Sequence, residues 1–260
     1  MTIAAEQNAE LHVNPYVSAE IFENHLEAAF WIGRVATTDS KHYDALAQFR
    51  ANVYVGQMGF LGPEDIDIMG RELDADDARS VHFGAVENTT NNGIREARIV
   101  ASGRLIVKDC VEGLLPIETS FPELFSEVPA PIGSVEVSRF ISRHENQIVQ
   151  HSLALAMIRA MSLYSADKGM TAGYCMIEKP LLNLLSHMGL PLEKLGEQKT
   201  TLEPGGLCEL HPIRINPQII IETVTNDAHD KLVLREFFKN DVPNGGEGFY
   251  PASLVGGYSE

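Results

Sequence analysis

Ser134-Val135-Glu136-Val137-Ser138-Arg139-Phe140-Ile141 is the stretch on which the fold turns, together with the helix and strand that follow it. The run alternates apolar and polar residues, the period of a half-buried strand. Over residues 149–166, Leu153, Ala156, Met157, Ala160, Met161 and Tyr164 recur at spacings of three and four. That is the stripe of a core-facing helix, and Gly169 is placed to end it. Residues 171–177 then form a second short apolar run. A strand, a long helix and a strand in that order make a parallel crossover.

Upstream, residues 80–86 and 97–107 alternate, and residues 88–93, rich in Asn, Thr and Gly, supply a turn. These runs and residues 134–141 make three consecutive antiparallel strands. Residues 30–36 read as a first strand, and Tyr43, Leu46, Phe49, Val53 and Tyr54 as one face of a helix ending near 56–59. Residues 110–133 read as an ordered loop with a short helix. Downstream come a helix over 181–188 opened by Pro180, and short strands over 192–195 and 206–215. The chain is expected to be α/β, with a mixed, mainly antiparallel twisted sheet flanked by helices. Residues 1–17 read as a loose acidic tail and 18–217 as one domain, with a first helix over 18–29. Residues 218–260 read as a helix, near 219–238, and an irregular tail packed on the same domain.

The 260 residues carry 20 Lys and Arg against 36 Asp and Glu, a net charge of −16. That balance argues against a nucleic-acid surface, which needs clustered positive charge. No apolar run is long enough to cross a membrane. Three scattered cysteines with no C-x-x-C spacing favour a reducing cytoplasm and disfavour a thiolate metal site, and the nine histidines show no ligand spacing. No metal is expected. Phosphate-loop, dinucleotide, metalloprotease and Gly-x-Ser-x-Gly motifs are absent.

The chemistry-bearing residues fall in four segments: Phe49-Arg50 with Tyr54 and Gly59-Phe60; Glu72, Asp74 and Asp77; Arg104-Leu105; and Glu136-Val137-Ser138-Arg139-Phe140. In strict alternation Glu136 and Ser138 share one strand face and Val135, Val137 and Arg139 the other; a bulge would change that parity.

In this order the segments resemble the autoinducer-synthase branch of GNAT-type acyltransferases, which includes acyl-homoserine-lactone synthases and long-chain N-acyl amino acid synthases. The family pattern has an Arg followed by aromatics four and ten residues on, as in Arg50, Tyr54 and Phe60. It continues with Glu-x-Asp-x-x-Asp (Glu72, Asp74, Asp77), Arg-Leu (Arg104-Leu105), a Phe ending a proline-containing loop (Phe121 or Phe125), and Glu-x-Ser-Arg-Phe (Glu136, Ser138, Arg139, Phe140). The resemblance spans roughly residues 30 to 215. Phe60 stands where the lactone synthases usually carry Trp, and Ile106-Val107 replaces their Leu-Pro. Residues 53–61 and 176–190 look more like the N-acyl amino acid synthase side. The glycine-rich loop of coenzyme-A-dependent relatives has no counterpart in residues 143–150.

The resemblance implies attack of an amine on an acyl thioester. Glu136 would be the general base, with Ser138 and Arg139 beside it and strand N–H groups for the oxyanion. Arg104 and Arg139 would fix the acidic segment or hold an acceptor carboxylate. Glu72, Asp74 and Asp77 would hold an ammonium or tie the loop down through Arg50. Phe121, Phe125 and Phe140 would line an acyl tunnel. The implied donor is an acyl carrier protein rather than coenzyme A, and the acceptor an amino acid. No permanently bound cofactor is expected. A lactone synthase using S-adenosylmethionine and a non-catalytic acyl-binding protein are the alternatives. Composition alone leaves plainer readings open: a solvated acidic loop, a Glu136–Arg139 ion pair, core phenylalanines. Arg98, Arg104, Lys108, Arg139, Arg143 and Arg159 leave room for a positive patch that an acidic carrier would need.

Overall fold

The computed structural model describes residues 30–35, 37, 40–91, 94–170, 172–187, 189–203, 206–220 and 248–251. The helix expected over 18–29 and most of that expected over 219–238 lie outside these residues. The strands are β1 (Phe30–Val35), β2 (Ser80–Asn91), β3 (Ile94–Val107), β4 (Val135–Ser142), β5 (Gly173–Glu178), β6 (Glu193–Lys194), β7 (Lys199–Glu203), β8 (Gly206–Ile215) and β9 (Gly248–Pro251). The α-helices are α1 (Ser40–Ala51), α2 (Pro116–Ser120), α3 (Pro122–Phe125), α4 (Gln147–Asp167) and α5 (Lys179–His187).

The strands form one sheet in the order β6-β8-β5-β4-β3-β2-β1-β9, with β7 also paired to β8. Among the described pairs only β4–β5 is parallel. It is the crossover expected from the sequence, and α4 makes the connection. Gly169, at φ +68°, terminates α4, a conformation that costs glycine no Cβ clash. The mixed, mainly antiparallel sheet flanked by helices is therefore observed.

Three expectations change. The β2–β3 hairpin is longer than read, because Glu87, Asn88, Thr89 and Thr90 pair with Arg98, Ala97, Glu96 and Arg95 instead of turning. Lys199–Glu203 forms a strand on β8 that its polar sequence did not announce. Gly248–Pro251, read as irregular, adds an edge strand to β1. In each case cross-strand hydrogen bonding overrides weak local propensity.

The two faces of the sheet carry separate cores. The larger one packs α4 and α5 on Phe83, Leu105, Val135, Phe140, Cys175 and Ile177. The smaller one packs α2 and α3 on Ile106 and Tyr174 through Leu115, Ile117, Phe121 and Phe125. Cross-strand rows show the parity. Val81, Leu105, Val137, Cys175 and Ile213 run across one face. Ser80, Ile106, Glu136, Tyr174 and Arg214 run across the other.

Candidate functional site

Strand β4 carries the centre of the site. Its pairing with β3 runs regularly from Val135↔Val107 to Ser138↔Arg104, then slips, and resumes at Ile141↔Ser102. Two residues, Arg139 and Phe140, stand opposite Gly103. This is a β-bulge, and Arg139 adopts φ +49°, the one non-glycine residue at positive φ among those described. A left-handed arginine is strained, and such strain collects at functional sites. The bulge rewrites strict alternation. Arg139 turns to the face that holds Glu136 and Ser138, while Phe140 falls on the face of Val135 and Val137.

On the first face six charged residues close into one network. Arg50, in the last turn of α1, donates to both oxygens of Asp77 (3.0 and 2.9 Å) and to the Glu72 carbonyl (2.6 Å). Its Nε stands 2.7 Å from Glu72 Oε2. Arg104 grips Asp74 with two nitrogens, each at 2.6 Å, reaches Asp77 at 2.8 Å and Ser138 Oγ at 2.7 Å. Arg139 donates from Nε to Glu72 (2.9 Å) and from an Nη to Asp74 (3.1 Å), with its guanidinium carbon 5.5 Å from the Tyr54 ring centroid. Three arginines thus meet three carboxylates, and all six were named from the sequence. The three charges of each sign balance, which is what lets so many ions be buried together.

The neighbours of this network follow from local chain geometry. After α1 the chain widens into a π-helical turn, Asn52–Gln57, where the Met58 N–H donates to the Val53 carbonyl. Gly59, at φ +64°, then reverses direction and brings Phe60 beside Val53, Tyr54 and Ile141. The Glu72 N–H donates to the Ala47 carbonyl of α1 at 3.1 Å, so the acidic segment is docked rather than solvated.

Burial pushes the Asp77 carboxyl up, but the Arg50 hydrogen bond and the charges of Arg50 and Arg104 outweigh it and hold it at about 2. Asp74 is likewise lowered, burial opposing and the Arg104 bonds prevailing. His82, which the sequence reading missed, is buried with Nε2 3.2 Å from the Asp77 carbonyl, and burial lowers its pKa. Its ring meets Tyr43 edge-on at 5.0 Å. Only the alternation of His82 with the apolar Val81 and Phe83 could have hinted at it.

Glu136 belongs to the same face but not to the network. It lies between Ile106 and Tyr174, and its Oε2 accepts a hydrogen bond from the Ile117 N–H at 2.8 Å. Burial dominates, and the carboxyl is pushed up to about 8. A Glu136–Arg139 ion pair is not formed; Arg139 goes to Glu72 and Asp74. The loop that supplies Ile117 is pinned by a second pair unseen in the sequence. Glu118 accepts from Lys108 Nζ (2.7 and 2.8 Å) and from the N–H groups of Leu115 and Ala130.

The second face is apolar. Strands β4 and β5 are paired only over Val135–Val137 and Gly173–Cys175, although both run on for several residues. Beside this divergence lies a partly open cavity with an almost wholly apolar lining. Val137, Phe140, Met161, Cys175 and Leu185 are among its walls. Phe140 is one of these walls, whereas Phe121 and Phe125 pack in the smaller core on the opposite face.

Most of the cations expected to form a positive patch are not free on the surface. Arg104, Lys108 and Arg159 are buried, Arg139 is bound in the network, and Arg98 is engaged by Glu87 and Glu145. Among the described residues no His, Cys, Asp and Glu cluster could hold a metal ion. No described helix is long and apolar enough to cross a membrane.

No family model matches the chain, and no curated protein matches it in sequence. Solved structures do. The AHL synthase LasI superposes with a TM-score of 0.53 at 20% identity, over 72% of this chain and 89% of LasI. BjaI, a coenzyme-A-dependent acyl-homoserine lactone synthase with SAM and isopentyl-CoA, gives 0.57 at 16% identity, over 87% and 98%. FeeM, an N-acyl amino acid synthase from uncultured soil microbes, gives 0.48 at 11% identity, over 79% and 98%. The fold that the sequence motifs implied is the fold of the first two.

Proposed function

We propose that the protein is an N-acyltransferase that moves a medium or long acyl chain from an acyl thioester to the amine of an amino acid or similar acceptor. One observation carries this reading. A parallel strand pair opens directly beside an apolar cavity, and the opening strand bears a strained bulge and a buried carboxyl pushed up to about 8. The cavity suits an acyl chain. The strand N–H groups of β4 past Val137, which β5 does not engage, suit the oxyanion of a thioester under attack.

Glu136 takes the proton of the attacking amine, directly or through water. A carboxyl pushed up by burial is matched to that task, since a base works best with a pKa near the operating pH. The nitrogen–carbon bond forms, the carbon–sulfur bond breaks, and the proton passes to the leaving thiolate. Arg139 and Asp74 are the partly exposed members of the ionic network, at 26% and 29%. Arg139 also keeps one Nη with no partner among the described residues, whereas every guanidinium nitrogen of Arg104 is hydrogen-bonded. These two meet an acceptor's carboxylate and ammonium.

For the donor, carrier protein is favoured over coenzyme A. At the start of α4 Asn146 caps with Oδ1 to the Val149 N–H, and the exposed Glu145 is locked to Arg98. A diphosphate at that helix end would find the Asn146 side chain already on a helix N–H and the Arg98 guanidinium already paired.

The test is product identification. Acyl carrier protein thioester is incubated with amino acids, and with S-adenosylmethionine in a parallel reaction. N-acyl amino acid is expected, with Glu136→Gln nearly inactive. Release of methylthioadenosine would favour a lactone synthase, and faster turnover of acyl-coenzyme A would replace the carrier. No turnover with any donor would leave an acyl-binding protein.

A further inference from the structure

Gly103 lies on β3 at the bulge, paired with Phe83 of β2 and with no partner on β4. Its φ is not positive, so the backbone there does not require glycine. What it spares is room. A Cβ at this position would stand 3.0 Å from Met161 Sδ and 3.4 Å from both Met161 Cε and Phe140 Cδ2. Met161 and Phe140 are buried walls of the apolar cavity. The thioether therefore lies against β3 in the space that any side chain at 103 would occupy.

We infer that the contact between Gly103 and Met161 determines which acyl chains the cavity admits; the inference rests on the acyltransferase reading and names its size gate. Methionine is unbranched with three rotatable bonds, so it yields before strand or helix does. A side chain at 103 turns the thioether away from β3 and into the cavity, leaving less room. Shortening Met161 leaves more. The two changes act on one wall from opposite sides and must shift preference in opposite directions, which a general loosening of the core would not do.

The experiment offers wild type, Gly103→Ala and Met161→Ala a mixed series of straight-chain acyl thioesters from short to long, and measures the product ratio. Gly103→Ala should lower the long-to-short ratio by about tenfold and Met161→Ala raise it by a similar factor, the scale of a methylene in an apolar pocket. An unchanged ratio in both, or a shift in the same direction, overturns the inference. Binding of the corresponding free fatty acids to the same proteins is read by native mass spectrometry. If wild type transfers nothing, the acyltransferase reading fails by itself, and the binding order still decides the gate: opposed shifts uphold it and an unchanged order overturns it. Should Met161→Ala not fold, Met161→Val takes its place in both assays, with the same direction expected.

Discussion

On one face of β4, Ser138 and Arg139 join a network in which nearly every donor and acceptor is taken at hydrogen-bond distance. On the other, Val137 and Phe140 border a cavity that the side chains leave unfilled. A residue on the ionic face is held by direction as well as distance, so the face is rigid and intolerant of change. The apolar face is held only by contact, which has no direction, so it can take occupants of different length. One strand thus fixes reacting groups on one side and accommodates a variable chain on the other. Four changes probe that difference, each by its effect on stability.

Arg50→Met should be the most damaging. It leaves the buried cluster one positive charge short, with Asp77 held by Arg104 alone and Glu72 by Arg139 alone, a situation that costs about 3–5 kcal/mol. Urea unfolding measures it, and a loss below about 1 kcal/mol would mean that the network is not rigid. Adding Asp77→Leu should recover part of the loss, because the stranded charge is then gone. Leu185→Ala, on the cavity wall, should cost less, in the lower half of the roughly 2–5 kcal/mol typical of such truncations, since a side chain beside empty space has fewer contacts to lose. A cost equal to that of Arg50→Met would erase the contrast between the faces.

Glu136→Gln gives the smallest effect at acidic pH, and the difference from wild type grows as pH rises. The folded carboxyl is raised from 4.5 to about 8, so between those values the folded state holds a proton that the unfolded chain releases. Wild-type stability therefore falls as pH rises through this window. The glutamine variant lacks that slope and should gain on wild type toward pH 8. Parallel melting curves for the two proteins would place Glu136 in water instead. Asp77 behaves in the opposite way: its stabilisation is present above 3.8 and is lost as pH falls through about 2.

Much of the site was legible before the fold was known. Arg50, Glu72, Asp74, Asp77, Arg104 and Arg139 were all named from spacing and resemblance, and they converge. Their plainer reading as a solvated loop fails because the segment is hydrogen-bonded to α1 and to the sheet. The phenylalanines were less legible. Phe121, Phe125 and Phe140 look alike in sequence, and only the face each lands on separates core from cavity wall. Lys108 was read as surface charge because sequence does not show that Glu118, ten residues on, folds back to meet it. Edge strands β7 and β9 were invisible for a related reason: a strand of polar or glycine-containing residues exists only if a neighbour pairs with it.

Sequence alone determined the β4–α4–β5 crossover, because a period of two followed by a period near three and a half admits few packings, and handedness fixes the rest. The tertiary structure decided everything that depends on parity and depth. One extra residue in β4 turned Arg139 toward Glu72 and Phe140 toward the cavity. A main-chain N–H from the first turn of α2 became the partner of Glu136. These are relations between segments, set by register and burial, and no local pattern of residues encodes them.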